Sequence, residues 1–155
     1  MPATDPEAIV VPSGEGKTYH VLDTPTTLKL VGGQTNGAFA LIELAAPPQS
    51  EVPRHLHSRE DETFYLLEGS LEIQCGGRTF RLNEGSTLFL PRHVPHAYRN
   101  PGKSVARIVV LISPAGFEQF FVEIGQLPTQ RPLAFETVVG IGQRYGLTFP
   151  IHTGV

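Results

Sequence analysis

Pro53-Arg54-His55-Leu56-His57-Ser58-Arg59-Glu60-Asp61-Glu62 sets two imidazoles two residues apart and a carboxylate five residues after the second. Side chains at i and i+2 of a strand share a face, whereas on a helix they diverge. His55 and His57 therefore converge on one ion only if this segment is extended, and Pro53 just before them favours an extended approach. Glu62 opens the run Glu62-Thr63-Phe64-Tyr65-Leu66-Leu67, in which Glu62, Phe64 and Leu66 lie on one face. The spacing predicts a strand, a turn and a second strand that meet at a metal ion.

Roughly 30 residues on, Gly85-Ser86-Thr87-Leu88-Phe89-Leu90-Pro91-Arg92-His93-Val94-Pro95-His96-Ala97-Tyr98-Arg99-Asn100 offers a fourth ligand, His96, at the head of another extended run. Three histidines and one glutamate form a mixed nitrogen and oxygen set. Such a set suits one divalent transition metal, Fe, Mn, Ni, Co, Cu or Zn, better than Ca or Mg. Asp61 is a rival carboxylate, and Glu60 and Asp61 are also placed to hold a ligand imidazole by its other nitrogen.

These two blocks resemble the two sequence motifs of the cupin superfamily. The first, G-x5-H-x-H-x3,4-E-x6-G, is matched by His55, His57, Glu62 and Gly69; the second, G-x5-P-x-G-x2-H-x3-N, by Gly85, Pro91, His96 and Asn100. Glu62 rather than Asp61 keeps the step to Gly69. Two positions depart from the pattern. The leading glycine of the first motif is Pro48, Gln49 or Ser50 here, and the glycine after Pro91 is His93, a residue type enriched at positive φ and so suited to a turn. The likeness covers about residues 37 to 112 and implies an all-β fold, a double-stranded β-helix (cupin or jelly-roll barrel).

Composition agrees with a β-rich chain. Across 155 residues, 16 Gly and 14 Pro punctuate short alternating segments, as in a sandwich or barrel. One cysteine, Cys75, excludes an intrachain disulfide, and it alternates with Leu71 and Ile73 as a small inward-facing hydrophobe. A formal charge of -3 without any Lys/Arg run argues against a nucleic-acid surface. No apolar run approaches the ~20 residues of a membrane span, and residues 1 to 12 do not have the layout of a secretory signal, so a cytoplasmic protein is expected.

In order, residues 1–16 read as an arm, whose Ile9-Val10-Val11 is suited to docking on the domain or a second subunit; 17–112 as the barrel; and 113–155 as a helical extension. His20 is expected on a strand surface. The sequence Ser70 to Leu82 predicts a hairpin about Gly76-Gly77, pairing Cys75 with Arg78, Ile73 with Phe80, Glu72 with Arg81 and Leu71 with Leu82. From Ser113-Pro114, Phe117, Phe120, Phe121 and Ile124 recur at helical spacing up to Gly125, an amphipathic helix expected to lay its aromatic stripe on the outside of the barrel. Phe135, Val138, Val139 and Tyr145 suggest a second helix ending at Gly146. No metal role is expected for His152.

The whole-chain pattern is similar to small bacterial quercetin-dioxygenase-like cupins. That resemblance implies oxidative cleavage of a flavonol-like enol or diketone, with Glu62 as base and Phe64 and Tyr98 shaping the pocket. Tyr98 is also a candidate catalytic hydroxyl. A non-redox isomerase or cyclase and a metal-dependent binding module are the alternatives on the same site. The expected partners are a small-molecule substrate and a second copy of the chain, the homodimer following from the arm, the exposed strand edges and the habit of the family.

Overall fold

The protein, described here from a computed structural model over residues 6–128 and 133–150, is built on two antiparallel sheets that face one another. Eleven strands follow in chain order: β1 (Lys17–Val21), β2 (Thr24–Leu30), β3 (Ala40–Ala46), β4 (Glu51–His57), β5 (Asp61–Glu68), β6 (Leu71–Cys75), β7 (Arg78–Leu82), β8 (Thr87–Leu90), β9 (His96–Arg99), β10 (Ala106–Ser113) and β11 (Leu147–Thr148). The helices α1 (Glu118–Gly125) and α2 (Phe135–Arg144) precede β11. One sheet runs β1-β2-β3-β10-β5-β8 and the other β11-β4-β9-β6-β7. From β3 to β6, and again from β7 to β11, successive strands alternate between the two sheets, which is the double-stranded β-helix the motifs implied.

Alternation decides what lies between the sheets. Ala40, Ile42, Leu44 and Ala46 of β3 lie beside Ala106, Ile108, Val110 and Ile112 of β10 and Phe64 and Leu66 of β5 on the inner face of the six-stranded sheet, all buried. The β6–β7 hairpin has the expected register, including Glu72 opposite Arg81. Gly76 and Gly77 carry it at φ of 57° and 79°, the left-handed pair that a two-residue hairpin turn requires.

Three features differ from the sequence expectation. The helix starting at Ser113-Pro114 begins only at Glu118, because β10 runs on through Ser113 and the Glu118 carboxylate instead accepts the backbone N–H of Gly116. Its aromatic stripe does not lie against the barrel exterior; Phe117, Phe120 and Phe121 turn into a cavity that also contains the histidines. The chain after α2 forms β11, which pairs Leu147 with His57 and Thr148 with Leu56. His152 lies outside the described residues, as do residues 1–5 of the expected arm.

Candidate metal centre

The chain's alternation brings the four candidate ligands to one place. His55 and His57 project from β4 into the space between the sheets, and β9 lies alongside with His96 opposite His55. Glu62 arrives from β5 in the facing sheet. All four are buried, with one donor atom from each within 4.8 Å of the others. Glu62 Oε1 is 3.4 Å from His57 Nε2, and Oε2 is 3.2 Å from His96 Nε2.

This set fits one transition ion. Donors at about 2.1 Å from a metal lie about 3 to 4 Å from each other, so the carboxylate–imidazole separations need little adjustment. His96 Nε2 is buried without a hydrogen bond, an orphaned lone pair that a metal would occupy. The Nδ1 of His55 lies 2.8 Å from the Pro53 carbonyl and that of His96 3.4 Å from the Val94 carbonyl. A carbonyl only accepts, so each contact places the proton on Nδ1 and leaves Nε2 to bind.

Electrostatics favour the same protonation states. Burial, followed by the neighbouring imidazoles of His96 and His57, holds His55 down to about 3, and burial also lowers His57. For Glu62 burial acts upward, but His57, His96 and His55 outweigh it and keep the carboxylate ionised below its ordinary range. Neutral imidazoles around a carboxylate are the donor states a cation needs.

Of the two rival carboxylates, Asp61 is taken by Arg92, whose backbone N–H, Nε and Nη2 donate to it at 2.9, 3.2 and 3.1 Å. His93 is exposed at φ 67°, outside the cluster, and its backbone N–H donates to the His57 carbonyl at 2.8 Å. That bond ties the turn delivering His96 to the strand bearing His57. Asn100 is buried in a purely structural arrangement, its Nδ2 donating to the carbonyls of Ala46 and Ser104 while its Oδ1 accepts from Gly102 N–H.

His55, His57 and Glu62 of the cluster form the floor of a cavity with about 640 Å³ of empty space, its mouth included. Phe64 and Tyr98 line it, with their rings 5.7 Å apart and edge-to-face. Burial and the Glu62 charge raise the Tyr98 phenol above its usual value, so it stays protonated and can donate. Sequence reasoning missed the rest of the wall. Phe117 stands edge-on to His57 at 4.4 Å, Phe149 lies 5.9 Å from His55, and Val138 and Leu147 complete the wall from the C-terminal extension. No Lys or Arg lines the cavity among the described residues.

Of the two acids placed by sequence to hold a ligand imidazole by its other nitrogen, Glu60 is the one that lies near such an atom. It is 3% exposed, with Oε2 4.0 Å from His57 Nδ1, and burial first and then Glu62 and Glu118 push its carboxyl up to about 7 against the pull of Arg59. Its place three residues after His57 was the available signal. Cys75 is half-buried opposite His96, its thiol raised by burial.

Comparison with known proteins agrees with this construction. A family model described as Cupin domain matches residues 43–112. Over 126 residues the chain is 34% identical to the tetracenomycin polyketide synthase protein TcmJ of Streptomyces glaucescens, covering 81% of this chain and 80% of that protein. It is 31% identical over 116 residues to quercetin 2,3-dioxygenase of Bacillus subtilis (strain 168), covering 75% of this chain but only 34% of that longer protein. A Thermotoga maritima structure described as a predicted oxalate decarboxylase superposes with a TM-score of 0.63 at 22% identity, over 68% of this chain and 99% of that one, a likeness of fold alone.

Proposed function

The chain belongs to the cupin family, and from that premise we propose that it is a metal-dependent dioxygenase acting on a neutral, ring-rich enol such as a flavonol or a cyclic diketone. The observation that carries the proposal is the cavity: walls of phenylalanine and aliphatic side chains with no Lys or Arg among the described residues, above a floor of His55, His57 and Glu62, with His96 completing the cluster beneath. A substrate carrying its own carboxylate would be desolvated there without a partner, at a cost of several kcal/mol. A planar enol loses no such hydration and gains contact with Phe117 and Phe120.

One divalent ion held by His55, His57, Glu62 and His96 would supply Lewis acidity at the enol oxygen and, for a redox metal, the means to use dioxygen. The chain's own groups do the rest. Glu62 is the one carboxylate among the lining residues, and it accepts the enol proton. With a dication bound, Glu62 would be a weaker base than a free carboxylate. Tyr98 donates its hydroxyl hydrogen to a substrate oxygen, and Phe64, Phe117 and Phe149 exclude water.

The similarity to quercetin 2,3-dioxygenase supports the oxidative reading. A second reading, an oxygen-independent cyclase or isomerase with Glu62 as base, is favoured by the likeness to a polyketide synthase protein over most of that protein's length. We also take the chain to act as a homodimer.

The deciding experiment reconstitutes metal-stripped protein separately with Fe, Mn, Co, Ni, Cu and Zn and follows oxygen uptake and product with flavonols, diketones and polyphenols. Uptake that needs a redox metal is expected, together with a loss of about 100-fold or more in turnover for Glu62→Gln at nearly full metal content. Product formed equally well with Zn under argon would transfer the assignment to the cyclase, and full activity of Glu62→Gln would remove Glu62 as base under either reading.

A further inference from the structure

We infer that Glu60 is a positioning residue for His57, engaging the Nδ1 side of that imidazole so that Nε2 is committed to the metal, and that the C-terminal extension holds Glu60 in place. The inference rests on the metal-binding reading of the site.

Three ligand imidazoles are held in two different ways. His55 and His96 each direct Nδ1 at the backbone carbonyl two residues earlier. His57 has no such contact. Its Nδ1 is buried without a partner, and the atom that faces it at 4.0 Å, Glu60 Oε2, is buried and without a partner too. Two unpartnered buried polar atoms are each unfavourable, and an approach of about 1 Å makes them a charge-assisted hydrogen bond. Nothing in the packing of the barrel itself requires a carboxyl at this point.

The geometry around Glu60 comes from outside the barrel. The turn Ser58-Arg59-Glu60 is pinned by Gly146 and Arg144: Ser58 N–H donates to the Gly146 carbonyl at 2.9 Å, and Arg59 Nη1 to the Arg144 carbonyl at 3.1 Å. Gly146 sits at φ 77°, where a Cβ would lie 2.5 Å from Ser58 Oγ, so the approach is available only to glycine. From the other side Gly116 packs on Glu60, a Cβ there falling 3.6 Å from Oε1. Gly116 is held in turn by the Glu118 carboxylate, which also accepts the Gly32 N–H at 3.1 Å. Phe117 next to it stands edge-on to His57. Both the Glu60 carboxyl and the ring plane of His57 are therefore set from outside the barrel by Gly116, Phe117 and Glu118 and by Arg144 and Gly146.

The test uses full-length protein stripped of metal and reloaded with Co(II) or Zn(II), as wild type, Glu60→Gln and Glu60→Ala. Metal affinity by chelator competition, the visible spectrum of the Co(II) form and the melting temperature of the metal-free form are measured together. For Glu60→Ala we expect affinity lower by about 10- to 100-fold and a shifted Co(II) spectrum. Its metal-free melting temperature should be no lower than wild type, since the change removes a buried carboxyl that lacks a partner. Glu60→Gln, whose amide oxygen accepts the same hydrogen bond, should recover most of the affinity. Unchanged affinity and spectrum in Glu60→Ala overturns the inference, as does a loss matched in both variants by metal-free destabilisation. Wild-type protein that takes up no metal overturns the metal reading itself, a result distinguishable from the other two.

Discussion

Burial and the neighbouring imidazoles of His96 and His57 hold His55 at a pKa of about 3, against 6.5 for the free group. In the unfolded chain His55 takes a proton as the pH drops through 6.5, while the metal-free folded protein refuses it until about 3. Between those values the unfolded state binds more protons, so the metal-free protein loses stability as pH falls, on the order of a few kcal/mol in all. Glu62, held below its ordinary range, acts in the same direction, whereas Glu60, raised to about 7, loses stability in the opposite sense as pH rises from the usual carboxylate range toward 7. His55→Gln should flatten the melting profile of metal-free protein between pH 6.5 and 4, and profiles that superimpose on wild type would show that His55 is not the group responsible. The four-residue cluster was readable from sequence because strand alternation is a local rule that applies to His55 and His57 directly. Glu60 was readable as a candidate neighbour of a ligand imidazole, but not as a buried one, because Gly116, which packs against it, reaches it only through the fold.

Among the elements, the β6–β7 hairpin was legible to its register because a two-residue Gly-Gly turn leaves no freedom in the pairing. Helix α1 was legible only as amphipathic. Periodicity identifies Phe117, Phe120, Phe121 and Ile124 as one stripe without saying what the stripe meets, and here it meets both the cavity over the histidine cluster and β1. β11 left no pattern at all, since two residues cannot show alternation. The contact with β1 is closest at the end of the helix, where a Cβ on Gly125 would stand 1.9 Å from Cδ1 of the buried Tyr19 ring. Gly125→Ala must therefore displace Tyr19 or lift the last turn, at about 1–3 kcal/mol of the kind seen on overpacking, even though alanine is the better helix former. A lower denaturation midpoint with an unchanged slope would show this in chemical unfolding. A midpoint raised by the propensity gain would mean that the helix end has room to move.

At the scale of the whole molecule, the outer face of the six-stranded sheet carries a cluster of exposed apolar side chains. Register places Leu41, Leu111, Thr63 and Phe89 in one row across β3, β10, β5 and β8, with Val109 and Tyr65 in the next. Phe89 is 58% exposed, and Tyr65, Leu67 and Leu111 are exposed as well. Clustered exposure of this kind marks an interaction surface rather than scattered surface hydrophobes. The ion pairs of Arg107 with Glu43 and Glu68 border the patch, giving it an apolar centre and a charged rim. The arm adds Ile9 and Val10, both exposed, and Lys29 Nζ donates to the carbonyls of Pro12 and Glu15 in the same arm. A two-fold dimer would bury the same patch on both copies and close the assembly. Light scattering on wild-type protein should then give twice the 16.9 kDa chain mass, and Phe89→Asp, which sets a charge at the most exposed point of the patch, should shift it toward the single-chain mass with the melting temperature of the fold retained. Wild-type protein at the single-chain mass across the micromolar range would assign the patch to some other partner, and a Phe89→Asp variant that stays dimeric would move the interface off this face and onto the arms.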